Sequence, residues 1–158
     1  MDHVMTPEEA LPRMRATLDR GESLRLVVTG TSMAPFLRHK KDAVILTSFD
    51  GTPNPGDILF YGLDNGRPLL HRFHRVLPDG RYLICGDHLL GLEHVRPDQV
   101  WARAVQLQRG QTLFSADAGW WRLLSRLWIA LFPLRRPLLA VLHALWRVKQ
   151  KLRRARAS

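Results

Sequence analysis

Cysteine is nearly absent from this 158-residue chain. Cys85 stands alone, so no disulfide can form within the chain, and the paired-cysteine spacing of zinc fingers is missing. A single thiol fits a reducing compartment. Lysine is scarce as well, with Lys40, Lys41, Lys149 and Lys151 as the whole set. A serine–lysine dyad therefore has no good base in the middle of the chain. The first thirty residues hold no apolar run long enough for a signal peptide, and no later run approaches the ~20 residues of a simple membrane span. The expectation is a cytoplasmic body. Acidic residues thin out too. Residues 1–100 carry 12 Lys+Arg against 13 Asp+Glu, a net of −1, whereas residues 101–158 carry 12 against Asp117 alone, a net of +11. Whatever partner that charge meets, it meets at the tail.

What is present divides into three parts: an N-terminal helix over residues 1–23, a β-rich domain over 24–110 and a basic helical tail over 111–158. Thr6-Pro7-Glu8-Glu9 reads as a helix start with a capping box, and Leu11, Met14 and Leu18 then share one face before Gly21. Strands are expected at 24–29, 43–47, 57–61, 69–76, 81–85 and 100–108. Turn signals separate them, among them Asp64-Asn65-Gly66 and Pro78-Asp79-Gly80. Short strands with frequent turns imply a mainly β fold, a coiled sheet or open barrel. In the tail, Trp120, Trp121, Leu124, Leu127, Trp128 and Leu131 recur at helical spacing, with Arg122, Ser125 and Arg126 opposite. After Pro133 and Pro137 a second amphipathic segment groups Leu138, Leu142, Leu145 and Trp146, and sets Arg136, Ala140, His143 and Arg147 on another face. A basic run, 149–156, follows.

The chemistry centres on Leu26–Leu37. A β-branched run leads into Gly30, then into Ser32, held between Met33 and Pro35. Glycine permits a sharp turn and proline fixes φ, so Ser32 sits at a strand exit on rigid backbone. A serine nucleophile needs a base. His71, His74, His88 and His94 are available. His71 and His74 lie three apart on an expected strand and should point to opposite faces, so only one can meet Ser32. Asp87 and Glu93 are candidate acids to orient that base. A metal site built from His71-x-x-His74 and Cys85-x-x-His88 is an alternative by ligand type. Its first pair diverges along a strand, however, and structural zinc usually takes more cysteine.

Four boxes follow in order: Gly30-Thr31-Ser32-Met33-Ala34-Pro35, Pro55-Gly56-Asp57-Ile58-Leu59-Phe60, Leu70-His71-Arg72-Phe73-His74-Arg75-Val76 and Cys85-Gly86-Asp87-His88. Together they resemble the signal peptidase and LexA-like superfamily of serine peptidases, most closely the endoplasmic-reticulum and archaeal branch whose base is histidine. The resemblance covers residues 24–109. It implies a signal-peptidase-like serine endopeptidase with Ser32 as nucleophile, His71 as general base, and either Asp87 or Glu93 orienting His71. It also implies a peptide or protein substrate read as an added β-strand and an oxyanion donor at the Ser32 N–H. No cofactor or metal is expected. Three features depart from that pattern. His88 replaces an asparagine, Lys41-Asp42 stands in place of Gly-Asp, and no membrane anchor precedes the serine box. The last argues against export-type signal-peptide cleavage.

Two other readings follow from the residues. The fold can persist as an inactive binding module, and a tail of +11 can meet nucleic acid. This tail, however, pairs its charge with a broad Trp/Leu face, as interfacial helices do. An anionic membrane surface, met through residues 119–156 as a peripheral contact, is therefore the expected partner rather than nucleic acid, with packing on the sheet as the alternative role of the same helices.

Overall fold

Glycine-marked turns cut the middle of the chain into short β-branched and aromatic runs, and these runs pair as antiparallel strands. The computed structural model describes residues 7–135, 137–141, 144–145 and 147. The expected cap at Thr6, the residues Arg136, Leu142, His143 and Trp146, and the basic run 149–156 lie outside the described residues. The elements are α1 (Pro7–Asp19), β1 (Leu24–Val27), β2 (Asp42–Ser48), β3 (Ile58–Gly62), β4 (Pro68–Val76), β5 (Tyr82–Cys85), β6 (Glu93–Val95), β7 (Val100–Arg109), β8 (Thr112–Ser115) and α2 (Gly119–Ala130). Short 3-10 turns cover Pro97–Gln99 and Phe132–Leu134. Residues 137–141 are helical.

The eight strands form one open, wholly antiparallel sheet in the order β1-β2-β7-β3-β4-β5-β6, with β8 pairing the far end of β7. Mainly β architecture with an N-terminal helix and C-terminal helices is the fold that the sequence pattern implies. β6 and β8 are additional to the expected strands. Register slips at Ile45/Leu46, Phe60/Tyr61 and Phe73/Arg75 are the bulges that bend the sheet.

Coiling gives the sheet two apolar clusters. The larger holds Leu18 of α1, Met33, Phe36 and Leu37 of the segment after β1, Ile58 and Phe60 of β3, and Trp121 and Trp128 of α2. The smaller holds Leu59, Tyr61, Phe73, Tyr82, Ile84, Val95 and Val100. Each large apolar side chain so buried contributes about 1.5–3 kcal/mol, so α2 is anchored chiefly by its two tryptophans. Phe36 meets both edge-to-face, at ring-centroid distances of 5.8 Å and 5.1 Å.

The stripe that α2 buries differs from the expected one. Trp121, Ser125 and Trp128 face inward, while Trp120, Leu123, Leu124, Leu127 and Leu131 are exposed. Ser125, expected on the polar face, is drawn in because its hydroxyl accepts from the buried guanidinium of Arg72 at 2.6 Å. The approach is close. A Cβ on Gly56 would stand 2.8 Å from Cβ of Ser125, and Gly56 has φ of +101°, so only glycine fits beneath the helix.

Candidate active site

Register decides which side chains of β3, β4, β5 and β6 share a face. Leu59 pairs with His71 and Tyr61 with Leu69. Phe73 pairs with Ile84, and Ile84 in turn with Glu93. Paired residues and their i±2 neighbours lie on one side of a sheet. His71, Tyr61 and Glu93 are thereby brought to the same face, with the smaller apolar cluster around them.

The three side chains meet. Nδ1 of His71 lies 3.1 Å from Oε2 of Glu93 and 3.0 Å from the hydroxyl of Tyr61. The Tyr61 hydroxyl donates to the same carboxylate oxygen. A carboxylate accepts only, so the network assigns the His71 proton to Nδ1 and leaves the lone pair on Nε2. His71 is 3% exposed. Burial pushes the Glu93 carboxyl upward, but hydrogen bonds from His71 and Tyr61 outweigh it and hold the group below its ordinary 4.5. Burial, reinforced by the bond to Glu93, raises the Tyr61 phenol well above its ordinary range, so it stays protonated and keeps donating.

Ser32 lies in the loop between β1 and β2. Gly30 turns with φ of +82°, and its N–H donates to Nδ1 of His39 at 2.8 Å. Met33, Phe36 and Leu37 then plunge into the larger cluster. The segment is pinned at both ends, with half-buried Ser32 between them. Its carbonyl accepts the N–H of His88 at 2.8 Å. A Cβ on Gly86 would come within 2.8 Å of that same oxygen. Since Arg72 pairs with Cys85, Gly86, the first residue past β5, comes at the level of His71 on β4. The serine loop is thus docked against the segment that runs beside His71, but among the described residues no hydrogen bond joins the Ser32 hydroxyl to His71, whose bonds run from Nδ1 to Glu93 and Tyr61.

The two candidate acids part company. Glu93 bonds His71, whereas both Asp87 oxygens accept from Arg72, from Nε and Nη2 at 2.7 Å each. Arg72 and Asp87 are fully buried. Nη1 of Arg72 also donates to the Gly56 carbonyl at 3.0 Å and to Ser125, and the guanidinium lies over Phe36 and Trp121. Asp87 therefore braces the sheet beneath the site from the other side of β4.

His74 falls on that other side as well. It packs edge-to-face on Phe132 at 5.5 Å. Burial, with Arg135 and Arg72 nearby, pushes it down to about 4. Cys85 is buried, and its thiol donates toward the carbonyls of Gly86, Leu89 and Gly91. Burial drives it up to about 11. The diverging pair His71 and His74 does not converge on Cys85 and His88. Among the described residues no group of three or more His, Cys, Asp or Glu side chains is placed to hold a metal ion. Among the same residues no helix is long and apolar enough to cross a membrane.

Sequence reasoning passed over Tyr61, Ser125 and Arg135. The Asp64-Asn65-Gly66 turn carried a signal for Tyr61. A hairpin closing on Gly62 and Pro68 fixes the register that sets Tyr61 on the His71 face. Nothing local marks Ser125 or Arg135, whose hydrogen-bond partners are distant in sequence. No protein-family model matches the chain, and no curated protein matches it.

Proposed function

We propose that this chain is a serine endopeptidase in which Ser32 is the nucleophile, His71 the general base and Glu93 the acid that orients it. The observation that carries the reading is the bond from Nδ1 of His71 to Glu93, beside a serine loop tied to the Gly86–His88 backbone. With Nδ1 engaged, Nε2 takes the proton from the Ser32 hydroxyl as Oγ attacks the scissile carbonyl. The oxyanion forms against the Ser32 N–H. Nε2 then returns the proton to the leaving amine, the C–N bond breaks, and an acyl-enzyme remains. A water molecule deprotonated by His71 releases the acid product and frees Ser32. Tyr61 supports the sequence by donating to Glu93, which keeps that carboxylate ionised and aimed. β6 pairs only with β5 among the described strands, which offers an edge beside Glu93 for a substrate in extended conformation.

The test is labelling of the full chain with a fluorophosphonate, read by peptide mass. A phosphonyl adduct on Ser32 that disappears in His71→Gln supports the reading. A folded protein that stays unlabelled, or labels elsewhere, supports the inactive binding module instead.

A second reading concerns the partner. We infer that the exposed face of α2 rests on an anionic membrane surface. Trp120 is 57% exposed and Leu123 61%, with Leu127, Leu131 and Leu134 beside them. The sequence around them carries the +11 excess. Apolar insertion joined to attraction for anionic headgroups is the pattern of an interfacial helix. A nucleic-acid surface would leave the leucines without a role.

A further inference from the structure

Arg135 follows the turn after α2, and it is 1% exposed. Its guanidinium is stacked between Trp128, at 5.1 Å, and Phe132, at 4.7 Å. One nitrogen, Nη1, donates to the carbonyls of Gly86 and Leu89 at 3.2 Å each, and lies 3.6 Å from Sγ of Cys85. The other two, Nε and Nη2, are buried and have no partner among the described residues.

That unpartnered edge has a counterpart in the same cluster. Arg72 uses its Nε and Nη2, the side-on fork of the guanidinium, to hold the carboxylate of Asp87. Arg135 presents the same fork with no acid against it. Among the described residues Asp87 is the buried acid of this cluster, and both its oxygens are committed to Arg72. His74 adds another polar atom to the set. Its Nε2 is buried and unpartnered, and its ring packs on the same Phe132 that stacks on Arg135. Among the described residues the titratable groups around Arg135 are thus Arg72, Asp87, His74 and Cys85, which supply one committed negative charge against two guanidinium ions. A buried cation lacking a counter-charge is unfavourable, and a side-on guanidinium fork matches a two-oxygen anion in geometry and sign.

We propose that the Nε/Nη2 edge of Arg135, with Nε2 of His74, is a binding subsite for a carboxylate. It lies on the opposite side of β4 from His71 and is distinct from the catalytic residues. The bound group completes for Arg135 the pairing that Asp87 gives Arg72. Burial depresses the Arg135 guanidinium below its ordinary range, and an anion at the fork would reverse that.

The experiment uses the full chain at pH 7 in a buffer free of carboxylates. Its thermal midpoint is followed against sodium acetate, with chloride and sulfate at matched ionic strength. The line width of carbon-13 acetate is followed in parallel. A saturable rise in midpoint with acetate, accompanied by broadening, supports the site. Arg135→Lys should then weaken binding about tenfold or more by losing the fork, and His74→Phe by a smaller factor. A short peptide run as the free acid and as the amide separates the sources. Binding of the free acid alone, tighter than acetate, assigns the site to a peptide carboxylate; a free acid no tighter than acetate assigns it to a small carboxylate; and an amide that binds as well as the free acid overturns the proposal. No saturation with acetate or with the free-acid peptide overturns the proposal, as does an equal response to chloride or sulfate. If Arg135→Lys does not fold, the wild-type titration alone decides.

Discussion

The carbonyl oxygen of Ser32 accepts the amide N–H of His88 at 2.8 Å. This one bond fastens the loop that carries the candidate nucleophile to the segment that links β5 with Glu93. The position of Ser32 relative to His71 therefore depends on two loops held together by backbone groups.

Ser32→Ala and His71→Ala should each reduce cleavage or probe labelling by at least about 10³-fold, with the double variant no worse than either single one, because such groups act as a unit. Ser32→Ala should fold as well as the parent. His71→Ala should cost about 1–3 kcal/mol of stability, since it removes the His71 hydrogen bond from half-buried Glu93 and leaves a space beside Tyr61. Additive losses would argue that the two residues do not share a mechanism.

Glu93→Gln should lower the rate by about 10²–10⁴-fold, and Tyr61→Phe by about tenfold or less. The Glu93 carboxyl is depressed below 4.5 in the folded chain. Its stabilising contribution is complete above 4.5 and is lost as pH falls through the lower folded value. Glu93→Gln should lack that acid limb in a pH-dependent unfolding series. Asp87→Asn giving the same rate loss with unchanged stability would return the orienting role to Asp87.

Arg72 and Asp87 are both fully buried, so breaking the pair leaves an uncompensated charge in the core. Asp87→Asn should lower stability by about 3–5 kcal/mol, and Arg72→Met combined with Asp87→Asn should cost less than the sum of the singles. Urea midpoints at constant slope provide the measurement. Strict additivity would mean that the pair is not coupled.

His74 has its pKa lowered from 6.5 to about 4. Between those values the unfolded chain binds a proton that the folded chain refuses, so stability falls as pH falls through that window, by a total on the order of 1–3 kcal/mol, and this contribution levels off below it. His74→Leu should flatten the curve between pH 6.5 and 4, read in buffers without carboxylates. An unchanged slope would show that His74 titrates normally.

The full chain should co-sediment with anionic vesicles more strongly than with neutral ones, less so as salt rises, but not to zero, because the apolar part is unscreened. Deleting residues 119–158 is a poor test, since it also removes Trp121 and Trp128 from the core. Leu123→Ser with Leu127→Ser alters only exposed positions and should cut vesicle binding while leaving the unfolding midpoint in place. Binding to a DNA duplex without binding to vesicles would reverse the assignment.

Much of this protein is determined locally. Alternating apolar residues and glycine-marked turns specify a mainly β chain, because strand and turn preferences act over a few residues. The three-residue spacing of His71 and His74 was enough to send them to opposite faces, since side chains alternate along a strand. Ser32, His71, Asp87 and Glu93 were legible as candidates, yet which acid meets His71 was not. That choice rests on Ile84 pairing with both Phe73 and Glu93, and on Asp87 meeting Arg72, pairings between residues distant in sequence. β6 was too short to leave a periodic signal. The burial of Ser125 in place of Leu124 and Leu127 was hidden as well. The α2 sequence has apolar residues on more than one side, and only packing against Gly56, Arg72 and Phe36 selects the side that turns inward.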